Sequence, residues 1–168
     1  MAGRTENKER LNHTLETIVN ILHEENIEDW FIMFGTLLGI VREDGCIESD
    51  NDIDILINFD YDKLKNVFEK RGFSFTYIWG INDSKHILKS VETEEFGSFD
   101  FYLCDVNENG DYNNSWHPIR VMNATPIEKR EWRSTILNLP KNYMDRIVKL
   151  YGEDWKTPRK QMGPGGEI

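Results

Sequence analysis

At 168 residues the chain has the length of one domain with one core, and its 39% hydrophobic and 12% aromatic content excludes a disordered chain. Its net charge of −10, spread along the chain, argues against nucleic acid as a partner, because Lys and Arg supply most of the affinity for a phosphate backbone. A small anionic ligand stays compatible with that charge if a metal ion mediates the contact.

The first ten residues are polar and lack the apolar centre of a signal peptide. No apolar run approaches the ~18 residues of a membrane span, so a soluble, cytoplasmic protein is expected. Leu11, Leu15, Ile18, Val19 and Leu22 recur at helical spacing and predict an amphipathic helix over 6–25, ending at Asn26. Residues 30–34 form a short apolar run that predicts a buried strand stopping at Gly35. Thr36 opens a predicted short helix over 36–43, and Asp44-Gly45 signals a turn. Ile53-Asp54-Ile55-Leu56-Ile57 is rich in β-branched residues and predicts the next strand.

Leu64, Val67 and Phe68 share a helical face in a predicted helix over 61–71 that stops at Gly72. Three further strands are predicted over 73–79, 86–91 and 96–104, joined by polar turns at 82–84 and 93–95, with a loop at 107–111. Residues 116–138 receive no element. A last helix is predicted over 141–151, stopped by Gly152, and the tail 161–168 is expected to be disordered. The two cysteines, Cys46 and Cys104, have neither a CxxC nor a metal-site spacing and read as reduced thiols. The order predicts one α/β (α+β) domain over 1–160, with a mixed sheet flanked by helices rather than a doubly wound parallel sheet.

Strand alternation puts Asp52 and Asp54 on one face and Ile53 and Ile55 on the other. Paired carboxylates repel unless a cation sits between them, and their separation suits Mg²⁺ or Mn²⁺, which also hold substrate phosphates. An isolated D-x-D is often only an acidic, solvated strand end. Three features point further. Gly35-Thr36 ends one strand and opens a helix whose backbone N–H groups can receive a phosphate. The spacing from there to Asp52 allows both strands to enter one sheet. Asp100 lies among aromatics on a later strand, where a carboxylate is costly unless paired or metal-bound.

Gly-Thr, then D-h-D, then h-D-h on a later strand resembles the nucleotidyltransferase-fold pattern. Gly35-Thr36-Leu37-Leu38-Gly39-Ile40-Val41-Arg42, Gly45-Cys46-Ile47 and Asp50-Asn51-Asp52-Ile53-Asp54-Ile55 closely resemble the LicD family of phosphotransferases, relatives of the fukutin-type ribitol-phosphate transferases. Leu139-Pro140 and Leu150-Tyr151-Gly152-Glu153-Asp154-Trp155-Lys156-Thr157-Pro158 match that family's closing motif, so the resemblance spans about residues 30–158. Three positions depart from it: Cys46 replaces Phe, Glu48-Ser49 replaces Pro-Trp, and Asn51 replaces the middle Asp.

The resemblance implies transfer of a phospho-alcohol from a CDP-activated donor to a sugar hydroxyl of a glycan, releasing CMP. It implies Asp52, Asp54 and Asp100 as metal ligands, and Asp100 as general base. Choline, ethanolamine, glycerol and ribitol all stay open as the alcohol. Asp50 is a possible outer ligand. Arg42 is a phosphate-binding candidate beside the reading of an ion pair with Glu43 or Asp44. Lys89, on the strand before Asp100, is a phosphate-binding candidate beside the reading of a surface lysine. His86 and His117 are acid–base candidates or ordinary structural residues. Trp79, Trp116, Trp132 and Trp155 read as core or lid residues. The alternatives are a nucleotidyltransferase moving NMP from an NTP onto a small molecule or protein, and a non-catalytic binding module.

Overall fold

The structure is a computed structural model and describes residues 4–77, 85–114 and 119–158. The turn at 82–84, Trp79, Trp116, His117 and the tail 161–168 lie outside the described residues. Helix α1 (Arg4–Glu24) leads to strand β1 (Trp30–Ile32), helix α2 (Phe34–Glu43), strand β2 (Asp52–Ile57) and helix α3 (Tyr61–Lys70). Strands β3 (Ile87–Lys89) and β4 (Ser98–Leu103) complete a sheet of order β1-β2-β4-β3. Strands β2 and β4 run parallel and the outer pairings are antiparallel, so the sheet is mixed.

Alternation gives the sheet two unlike faces. Ile53, Ile55, Phe99 and Phe101 are fully buried on one. Phe68 of α3 packs there, its ring centroid 5.7 Å from that of Phe99 and 5.0 Å from that of Phe101. The opposite face carries Asp52, Asp54, Asp100 and Lys89. Apolar burial thus commits one face to the core and leaves the other to chemistry.

Strands β5 (Asp105–Val106), β6 (Tyr112–Asn114) and β7 (Ile119–Val121) form a second sheet. The Tyr112 ring meets Phe31 of β1 edge-on at 4.8 Å. Strands β8 (Glu128–Trp132) and β9 (Thr135–Leu139) form a hairpin, and helix α4 (Tyr143–Tyr151) follows. Buried Asn138 of β9 donates to the carbonyls of Glu28 and Trp30 at 3.1 and 3.0 Å, satisfying backbone groups beside β1.

Several elements differ from the sequence expectation. Phe34 opens α2 instead of ending β1, with φ +53°. Of the predicted strand over 73–79, the described residues 73–77 hold a bridge between Phe75 and Ser90. The stretch without a predicted element holds β7 and the β8–β9 hairpin. Strand β8 reads Glu-Lys-Arg-Glu-Trp, so no apolar alternation marks it. Its two-residue turn is Arg133-Ser134, with Arg133 at φ +51°, and lacks the Asn-Gly or Asp-Gly signal of such turns. The last helix starts at Tyr143 because Asn142 adopts a left-handed conformation before it.

Candidate active site

The parallel register sets Asp54 opposite Asp100 and Asp52 opposite Ser98. One carboxylate oxygen from each of Asp52, Asp54 and Asp100 lies within 4.8 Å of the others. Three hard oxygen donors this close form a set that can hold a divalent cation. Strand β3 sets Lys89 opposite Asp100 on the other side. The Lys89 ammonium donates to both Asp100 oxygens, at 3.2 and 3.1 Å, and lies 3.9 Å from Asp52 Oδ2. Tyr102, two residues beyond Asp100 on the same face, hydrogen-bonds the Asp54 carboxylate. Sequence reading missed Tyr102, although the same i, i+2 parity that pairs Asp52 with Asp54 points to it.

Helix α2 is stitched to the same place. The Met33 N–H donates to the Asp54 carbonyl at 3.2 Å, and the Asp54 N–H donates to Thr36 Oγ1 at 3.0 Å. The start of the helix is thereby fixed beside the D-x-D pair. The first-turn amides of Phe34, Gly35 and Thr36 have no acceptor within the helix, as at any helix start. Asp50 does not join the triad. Its carboxylate sits against Gly35, where an added Cβ would come within 2.7 Å of Oδ2. The Thr36 hydroxyl, buried at 1% exposure, has a structural task that sequence reading did not give it. Thr36→Val leaves the Asp54 N–H unpaired and lowers stability by about 1–3 kcal/mol. Thermal melting checks this, with Thr36→Ser retaining the wild-type value.

Burial and crowding shape the charges. Burial, then the Asp52 and Asp100 charges, push Asp54 well above the ordinary carboxylate range, and the Tyr102 hydrogen bond opposes this. Burial, then Asp52, pushes Asp50 up to about 6. Burial raises Asp100, with Lys89 pulling the other way. Burial lowers Lys89, but Asp100 and Asp52 outweigh it and leave its pKa raised. Tyr102 is raised by burial and then by Asp54.

The folded protein therefore binds protons at these carboxylates more tightly than the unfolded chain does. Their contribution to stability is greatest below the unfolded value of ~3.9 and is lost as pH rises through the folded values. The melting temperature of the metal-free protein is expected to fall as pH rises from about 4 through the Asp50 value of about 6 and above, and millimolar Mg²⁺ to restore it at the upper end. A magnesium-independent, flat profile would contradict the carboxylate crowding.

The remaining candidates lie elsewhere. Arg42 Nη1 donates to the Trp155 carbonyl at 3.4 Å, and Nε lies 3.9 Å from Glu43 Oε2. Arg42 thus ties α2 to the closing motif, whose Tyr151 and Trp155 are buried. His86 precedes β3, and its carbonyl accepts from the Leu103 N–H at 2.9 Å. Trp132 is a core residue whose Nε1 donates to the Asp44 carbonyl at 2.9 Å. Cys46 is buried too, and its N–H donates to Asn12 Oδ1 at 2.7 Å, so this departure from the LicD-like pattern lies in the core beside α1. Glu48, Ser49 and Asn51 are exposed. Among the described residues no helix is long and apolar enough to cross a membrane.

The family profile described as LicD/FKTN/FKRP, nucleotidyltransferase domain, matches residues 27–143. Among solved structures, the crystal structure of the lincosamide antibiotic adenylyltransferase LnuA with lincomycin bound is similar, with a TM-score of 0.54 and 14% sequence identity. That similarity covers 76% of this chain and 78% of the other and is one of fold. No curated protein matches the chain in sequence.

Proposed function

Since the chain belongs to the LicD/FKTN/FKRP family of nucleotidyltransferase domains, we propose that it transfers a phospho-alcohol group from a CDP-activated donor to a sugar hydroxyl of a glycan acceptor. The observation that carries this reading is the register of β2 and β4, which gathers Asp52, Asp54 and Asp100 beside the start of α2.

Asp52, Asp54 and Asp100 would hold Mg²⁺ or Mn²⁺, which supplies charge neutralisation for a diphosphate. The first-turn amides of Gly35 and Thr36 would receive a donor phosphate oxygen. Asp100 accepts the proton of the acceptor hydroxyl. The acceptor oxygen then bonds to the phosphorus bearing the alcohol, the bridging P–O bond breaks, and CMP leaves with the bridging oxygen. Alignment and neutralisation are the main demands of such a displacement. Lys89, paired with Asp100, maintains positive charge at the edge of the site.

A thermal-shift screen of CDP-choline, CDP-ethanolamine, CDP-glycerol and CDP-ribitol, with and without Mg²⁺, tests the reading. Magnesium-dependent stabilisation by one of them, about 2.7 kcal/mol at a hundredfold excess over Kd, supports it and names the alcohol. Stabilisation by nucleoside triphosphates alone would support NMP transfer instead, the class of chemistry named for the lincosamide enzyme.

A further inference from the structure

The place of Lys89 bears on how many metal ions the site can take, given the metal-site reading proposed above. Its ammonium is not a surface charge that happens to lie nearby. The antiparallel register of β3 on β4 fixes the Lys89 backbone directly across from Asp100. From there Nζ reaches both Asp100 oxygens at 3.2 and 3.1 Å and stands 3.9 Å from Asp52 Oδ2. It therefore lies between the two carboxylates that a second, bridging ion would share. Among the described residues no Lys or Arg pairs with Asp54, which leaves Asp54 and the remaining side of Asp52 as the pair without a built-in cation.

In two-metal sites the ions stand ~3.5–4 Å apart and both are clamped by shared oxygens. The triad offers one ligand atom from each carboxylate within 4.8 Å of the others, a grouping that suits a metal ion. An ammonium already placed between Asp52 and Asp100 repels a second divalent ion and uses the same oxygen lone pairs. We propose that Lys89 takes the place of the second metal, so that the triad binds a single divalent cation, with the ammonium as its permanent partner. In this role Lys89 is a positioning residue: it orients Asp100 and sets the charge beside the metal, without needing to touch the donor.

The test is a Mn²⁺ titration of the whole chain without nucleotide, counting bound ions by the electron paramagnetic resonance signal of free Mn²⁺. Wild type is expected to saturate at one ion per chain. Lys89→Met is expected to saturate at two, with the magnetic coupling of a close Mn²⁺ pair. Lys89→Arg, which keeps the charge, should stay at one, and Lys89→Gln, neutral and polar, repeats the count independently of Lys89→Met. Two ions on wild type, or one ion on both neutral variants, would overturn the proposal while leaving the metal site intact. A count that does not change in Asp54→Asn, or no binding to wild type and neutral variants alike, would overturn the metal-site reading itself.

Discussion

Asp54→Asn is expected to abolish transfer and, at the same time, to make the metal-free protein more stable. The two effects share one cause. Asp54 is pressed by burial and by the charges of Asp52 and Asp100, and Tyr102 offsets only part of this. At neutral pH the folded protein carries that crowding as a cost, which an uncharged amide of the same shape removes. A gain of about 1–2 kcal/mol corresponds to a rise of roughly 2–8 °C in melting temperature for a chain of this size. The amide also removes a charge from the carboxylate group proposed to hold the metal. Charge stabilisation by a metal is worth several kcal/mol in the transition state, so the rate should fall about a thousandfold or more. Melting with and without Mg²⁺, alongside single-turnover rates with the donor that the thermal-shift screen selects, checks both halves. A variant that melts lower than wild type without metal, or keeps a tenth of the activity, contradicts the assignment of Asp54. The pattern is that of a functional site held against local stability.

Gly39→Ala is expected to lower stability, against the sign that helix propensity gives it. On helix propensity alone the substitution should gain about 0.5–1 kcal/mol. The structure reverses the sign. An added Cβ would lie 2.5 Å from the Gly45 carbonyl oxygen and 3.1 Å from the Ile47 nitrogen, both of them backbone atoms. The turn after α2 folds back over Gly39, with the Asp44 N–H donating to Ile40 and the Gly45 N–H to Gly39 at 3.1 and 3.4 Å. Asp44 sits at φ +56° to make that return. The methyl group can be accommodated only by moving the 45–47 backbone, which also carries the anchor from Cys46 to Asn12. Overpacking of this kind costs about 1–3 kcal/mol, or roughly 2–12 °C of melting temperature. Because β2 starts with Asp52 directly after the same loop, loosening should also weaken Mg²⁺-dependent stabilisation. A Gly39→Ala protein that melts at or above wild type would show that the turn has room to spare. Gly35→Ala should be milder, since the atoms it meets belong to the movable Asp50 side chain.

The departures from the family pattern divide by position. Cys46 faces the core and answers to packing, whereas Glu48, Ser49 and Asn51 are exposed between α2 and β2.

Much of the site is legible in the amino-acid sequence alone, because its signals are local. Alternation along one strand is enough to place Asp52 with Asp54, and the Gly35-Thr36 step between an apolar run and a helical pattern is enough to mark the start of α2. Asp100 stands out because a carboxylate within Ser-Phe-Asp-Phe-Tyr has to be compensated by something. Partners across strands are not legible in this way. Register between β2 and β4 depends on how Ile53, Ile55, Phe99 and Phe101 pack under α3, and that packing decides that Asp54, not Asp52, faces Asp100. The same register brings Tyr102 to Asp54, and the β3 pairing turns Lys89 from a possible surface lysine into a cation inside the site. The β8–β9 hairpin is hidden for a related reason: its charged outer strand has no apolar period, and long-range contacts, the packing of β9 against α1 and β1 and the bond from Trp132 to the Asp44 carbonyl, hold the pair in place. Local periodicity marks the candidate carboxylates and the face they share within a strand, while long-range packing decides which of them meet, since a period of two repeats along a strand and says nothing about the strand beside it.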